Sequence, residues 1–192
     1  MPLTKDDIIT LPNPHLRQKS SRVGIVTDDI KKIAEDMISA TLSWDESRDH
    51  EVGVALAAVQ IDQLFKIVIV RNDYEDKANK SFTTFINPEI TKFEGKLISD
   101  YEGCLSVPNI YGKVRRYSKV RVKALGVDGK YFRVTAEGFL ARIFQHEIDH
   151  TNGMVFLDHI KDDPDAFYRL EDDGKLSKLE YEDVANDTFL WE

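Results

Sequence analysis

His146, Glu147, Ile148, Asp149 and His150 form an HExxH pentapeptide. On a helix the four-residue step is a little over one turn, so both imidazoles face the same way and can share one metal ion. Glu147, beside the first of them, can then reach a water on that ion. The chemistry implied is metal-assisted hydrolysis. Two imidazoles alone hold a catalytic divalent ion poorly, because such sites use three protein ligands and one open position. A third histidine is missing downstream: Phe156 stands three residues past Gly153 and cannot ligate. Glu171 and Glu180 are downstream carboxylates without a supporting motif. Cys104 is the other candidate, since a thiolate is a stronger donor to a soft or borderline ion, and Gly103 beside it lets backbone come close to a ligand. A zincin-like endopeptidase using Glu171 and a purely structural metal site are the competing readings of the pentapeptide.

The elements that must position these groups are written in the hydrophobic pattern. Ile30, Ile33, Ala34, Met37, Ile38, Thr41 and Leu42 follow Asp28 and Asp29 with the spacing of one helical face, acid at its positive end. Ser43 to Glu51 reads as a polar loop, Lys66 to Val70 as a buried strand and Arg71 to Lys80 as a second loop. Phe82 to Ile86 is a strand stopped by Asn87-Pro88, with an extended segment following from Ile90 to Ile98. Val120, Val122 and Ala124 alternate with Arg121, Lys123 and Leu125, and Asp128-Gly129 turns the chain into Lys130 to Val134, a hairpin signal. Thr135 is expected to cap the helix that carries the pentapeptide, with Leu140, Phe144, Ile148 and Thr151 on its buried side and Asn152-Gly153 at its end. The pattern predicts an α+β fold.

The chain has 192 residues, of which 42% are hydrophobic and 31% charged, enough for one compact domain with a real core and too apolar for general disorder. Its single cysteine excludes an internal disulfide and fits a reducing compartment. Met1 to Thr10 carries neither a basic and apolar leader nor an Arg-rich transit segment, and no apolar run approaches a membrane span, so a cytoplasmic protein without membrane contact is expected. Charge is uneven. Residues 161–192 hold 11 acidic and four basic side chains of a chain whose net charge is -8. Residues 1–160 are therefore read as a nearly neutral single catalytic domain and 161–192 as an acidic C-terminal extension, a solvated surface that repels phosphate and argues against direct nucleic-acid binding.

Three segments together resemble the peptide deformylase family. GVALAAVQ (Gly53 to Gln60) is similar to the motif GxGxAAxQ, EGCLS (Glu102 to Ser106) matches the second motif without change, and QHEIDH (Gln145 to His150) fits QHExDH. The resemblance implies mostly antiparallel sheets packed around a central HExxH helix, and removal of the formyl group from the N-terminal formylmethionine of new polypeptides. It implies Cys104, His146 and His150 as ligands of one divalent ion, Fe(2+) natively with Zn(2+), Ni(2+) or Co(2+) able to replace it. Glu147 is then the general base, and the Gln60 side-chain amide and the Leu105 backbone N–H are the oxyanion donors. Glu102 is expected to support a ligand, paired with Arg116. Phe139, Arg142 and Ile143 lie one to two turns before His146 and wall the methionine pocket, with the Arg142 stem packed and its guanidinium reaching water. Val54 and Gly103 offer backbone hydrogen bonds to an extended peptide. Ala55 stands where the first motif has its second Gly; if positive φ were needed there, alanine would strain the backbone by roughly 1 kcal/mol or more. Some family members dock on the ribosome through a basic C-terminal segment, and the acidic one here is not expected to do so.

Overall fold

The computed structural model describes residues 1–191. Seven strands form one sheet: β1 (Ala55–Ala57), β2 (Ile67–Arg71), β3 (Phe82–Cys104), β4 (Val107–Leu125), β5 (Tyr131–Glu137), β6 (Phe167–Leu170) and β7 (Leu176–Lys178). Every paired neighbour is antiparallel, in the order β1-β2-β3-β4-β6-β7 with β5 also on β4. Two long helices, α1 (Asp28–Asp45) and α2 (Gly138–Thr151), and two short ones, α3 (Tyr181–Ala185) and α4 (Thr188–Trp191), complete the α+β architecture. Among the described residues no helix is long and apolar enough to cross a membrane.

β2 explains the layering. Its continuous apolar run is buried on both faces, as a strand between two helices must be. Ile67 and Ile69 pack with Ile30, Ala34 and Met37 of α1, whereas Val68 and Val70 pack with Ala141, Phe144 and Ile148 of α2. Phe144 meets Phe85 edge to face at 4.8 Å. α2, on which the HExxH pentapeptide lies, is buried almost continuously from Ala141 to His150.

Several boundaries differ from expectation. α1 runs on to Asp45, because Trp44 packs into the α1 core and Asp45 forms a buried ion pair with Arg71. Arg71 is thus the last residue of β2 and fully buried, where a polar loop was expected to begin. Asn87-Pro88 bends the strand without stopping it. Asn87 adopts a φ of 51°, the register with β4 shifts between Ile86 and Glu89, and the Asn87 side chain bonds the backbone N–H and carbonyl of Val23, each at 2.8 Å. Thr135 lies within β5 opposite Arg121 and caps nothing. Glu137 occupies the N-cap of α2 without a side-chain cap, and Gly138, at a φ of 58°, turns strand directly into helix. Residues 161–191 are more than a solvated surface: β6 pairs with β4, and Phe167, Val184 and Leu190 share a core with Val114, Phe156 and Leu157.

Candidate metal centre

Cys104 ends β3, the long strand that reaches across α2, and His146 and His150 project from α2 toward it. One ligand atom from each of the three lies within 4.8 Å of the others. The Cys104 Sγ is 3.2 Å from His150 Nε2, and the two imidazoles stand nearly perpendicular with centroids 4.9 Å apart. His146 Nδ1 lies 3.0 Å from Glu102 Oε2, which leaves Nε2 for the shared centre. Glu171 and Glu180 are not in this cluster; Glu171 accepts a hydrogen bond from Ser177 in the C-terminal segment.

The electrostatics suit a cation. Burial pushes the Glu102 carboxyl up, but hydrogen bonds from His146 and Arg116 outweigh it and hold the group well below the usual carboxylate range. An ionised Glu102 accepts the Nδ1 proton of His146 and fixes its tautomer. Burial and the proximity of His146 press His150 well below the ordinary imidazole range, so its ring is neutral and carries a lone pair. His146 itself is pulled above that range despite burial, because Cys104 and Glu102 favour a positive charge there, and a divalent ion would supply one in place of the proton. His150 Nδ1 and Glu147 Oε2 are buried without a hydrogen-bond partner among the described residues. One thiolate, two imidazoles and an open side are a donor set for a borderline divalent ion, so these residues fit a catalytic metal.

Glu147 is driven up to about 7, chiefly by burial, with Glu102 and Asp149 adding repulsion that His146 partly offsets. Gln60 is buried. Its Oε1 accepts from the Ala57 N–H at 2.9 Å, while its Nε2 donates to Ser106 Oγ at 3.1 Å and lies 3.5 Å from the Cys104 sulfur. The bond to Ala57 fits the 3-10 turn, residues 58–61, that follows β1 and swings Gln60 inward. Leu105 occupies the turn between β3 and β4.

A cavity of about 320 Å³ opens beside the centre. Val54, Gly103, Leu105, Phe139, Arg142 and Ile143 all line it, together with Gln60, Glu147 and two of the three ligands, Cys104 and His146. Gly103 is needed where it stands, since a Cβ there would lie 2.7 Å from the Tyr111 ring. Three expectations change. Arg142 does not reach water: its guanidinium is buried among Glu102 and three backbone carbonyls. The Val54 carbonyl accepts from the Arg71 N–H at 2.8 Å, so ladder alternation turns the backbone groups of Ala55, rather than those of Val54, away from β2. Ala55 sits in a strand and is not among the residues of positive φ, so it carries no such strain.

Arg116 donates to Glu102 through Nε at 2.9 Å and Nη2 at 3.0 Å, the expected pairing, and through Nη1 to Asp149 at 2.5 Å. His159 closes this network, 2.7 Å from Asp149. Sequence reasoning missed His159, which lies outside every motif, and it gave Ser106 no task although EGCLS contains it.

A family profile described as Polypeptide deformylase matches residues 5–165. The chain belongs to the peptide deformylase family. It is 42% identical over 158 residues to the peptide deformylase of Thermomicrobium roseum, covering 81% of this chain and 85% of that one. It is 40% identical to that of Nitrobacter hamburgensis, covering 80% and 86%. Among solved structures, the Legionella pneumophila deformylase superposes with a TM-score of 0.69 at 38% identity, covering 79% of this chain and 83% of that one. The Synechococcus elongatus deformylase, solved in complex with actinonin, gives 0.70 at 33%, covering 79% and 76%. The deformylase reaction is metal-dependent hydrolytic removal of the N-formyl group from newly made polypeptides.

Proposed function

We propose that Cys104, His146 and His150 hold the catalytic ion of this deformylase and that Glu147, Gln60 and Leu105 carry the proton and charge movements of the reaction. The observation that supports this most is the convergence of one sulfur and two ring nitrogens from separate elements within 4.8 Å, beside a buried carboxylate. The ion, Fe(2+) in the cell and replaceable by Zn(2+), Ni(2+) or Co(2+), supplies a Lewis acid that lowers the pKa of water and polarises the formyl oxygen.

The chain's own residues do the rest. Glu147, raised by burial toward neutrality, accepts the proton of the attacking water and returns it to the departing peptide nitrogen. The Gln60 amide, braced by Ala57 and Ser106, and the Leu105 N–H donate to the oxygen that gains charge when the formyl carbon becomes tetrahedral. Loss of the C–N bond frees formate and an N-terminal amine. Glu102, gripped by Arg116, holds the His146 ring in its ligating tautomer. Phe139, Ile143 and the stem of Arg142 wall the methionine side chain. Gly103 and, on the first strand, Ala55 offer backbone to the peptide, the Val54 carbonyl being held by Arg71.

Residues 1–160 carry this chemistry, and 161–191 are an acidic extension that braces the sheet. The substrates are formylated nascent peptides in the cytoplasm. The surplus acid of the extension argues against ribosome or other nucleic-acid contact through it, which cosedimentation at moderate salt tests. The decisive assay loads purified protein with metal under anaerobic conditions, adds formyl-Met-Ala-Ser and measures formate. Stoichiometric release is expected; full metal occupancy with no formate would contradict the proposal.

A further inference from the structure

Arg142 lines the cavity, yet its charged end is spent elsewhere. The side chain is 7% exposed. Nη1 donates to Glu102 Oε1 at 2.7 Å, the Val114 carbonyl at 2.8 Å and the Asp100 carbonyl at 3.3 Å, and Nη2 donates to the Ile98 carbonyl at 2.9 Å. Those acceptors belong to both strands of the β3–β4 hairpin, with Asp100 opposite Val114 in register. Residues 98, 100 and 102 step along β3 toward Cys104, and Arg142 lies one helical turn before His146.

We propose that Arg142 is a positioning residue for the metal centre, locking the strand that ends in Cys104 to the helix that carries His146 and His150, and that it does not contact the peptide with its charge. This inference rests on the assignment of those three residues as the metal ligands. A cysteine and two histidines can share an ion only if strand and helix keep their mutual offset; Gln145 and Asp149 tie α2 to β4 through Tyr117 and Arg116, whereas Arg142 ties it to the backbone carbonyls of β3, the strand that ends in Cys104. A planar guanidinium binds two strands at once with five donors in fixed directions, whereas an ammonium offers three on a freely turning stem and fixes their mutual offset less well. The link also ends on Glu102, whose other oxygen bonds His146, so one side chain fixes both halves of the site. Arg116 grips Glu102 independently, and therefore loss of Arg142 leaves that buried carboxylate paired.

The test uses full-length Arg142→Lys and Arg142→Met, each loaded with Zn(2+) or Co(2+). Zinc release to a chelator should be roughly tenfold faster in the Met variant, in the range that loss of ligand-supporting contacts produces, with the Lys variant between. The thiolate-to-cobalt absorption should shift in the same order. With formyl-Met-Ala-Ser, kcat should fall in parallel while KM moves by less than about twofold. Parent-like metal release and spectrum in both variants would overturn the proposal, and a raised KM with unchanged kcat would mark a peptide contact instead. Should Arg142→Met not fold, the Lys variant decides by the same readings. Failure of the parent to release formate would defeat the functional assignment, whereas zinc release and the cobalt spectrum would still judge Arg142.

Discussion

Glu147 combines a buried carboxylate, an oxygen without a hydrogen-bond partner among the described residues and a proton affinity raised by burial, the properties of a group that must take a proton and give it back. Glu147→Gln keeps its volume and removes that exchange, so kcat for formyl-Met-Ala-Ser should drop about 10³-fold. Metal content, measured in the same preparation, should stay at the parent level, because Glu147 lies outside the Cys104, His146 and His150 cluster. Unchanged kcat would remove Glu147 from the mechanism. At this scale the sequence was most legible where chemistry and local geometry coincide. HExxH fixes two imidazoles on one helical face without knowledge of the fold, and EGCLS and the Gln60 segment carry family information in a few residues. The destination of the Arg142 guanidinium is not legible, because helix geometry gives the direction of its stem but the carbonyls that receive its charged end lie about thirty to forty-five residues away and are placed by strand pairing. His159 is invisible because it lies outside every motif and meets Asp149 and Arg116 only once the turn after α2 has folded back.

At the scale of elements, α2 ties the site to the core and begins without a side-chain cap. Gly138 starts it at a φ of 58°, with open space around the position a Cβ would take. Gly138→Ala should therefore cost about 1 kcal/mol from backbone conformation alone, read as a lower urea midpoint with unchanged slope. An unshifted midpoint would show that the entry can be rebuilt without glycine. The exposed part of the β3–β4 hairpin makes a separate prediction. Hydrogen bonds from Arg121 and Lys92 lower Glu94 to about 2. Since its folded value lies below its unfolded one, the stability it lends is present above about pH 4.5 and is lost as pH falls through about 2. The pair is in solvent, so the titration midpoint followed by NMR should move back toward the ordinary value in molar salt. The amphipathic face of α1, the double-sided β2 and the Asp128-Gly129 hairpin were legible because period and turn chemistry are local. The continuation of β3 through Asn87-Pro88 was not, because the side-chain bonds from Asn87 to Val23 offset the local break.

The whole molecule is organised so that a long hairpin delivers a sulfur to a helix already buried against the sheet. Its C-terminal residues are acidic in sequence and structural in the fold, with Phe167 fully buried on β4's partner strand. Composition reported their charge but could not report their pairing. Phe167→Ala should destabilise the protein by roughly 3–5 kcal/mol in urea unfolding, far more than a surface substitution. A loss below about 1 kcal/mol would return the segment to the status of a solvated tail. The most direct measurement of the central claim is X-ray absorption on the zinc-loaded protein. One sulfur and two imidazole nitrogens bound to the ion is the predicted result, and a spectrum without a sulfur ligand would contradict it.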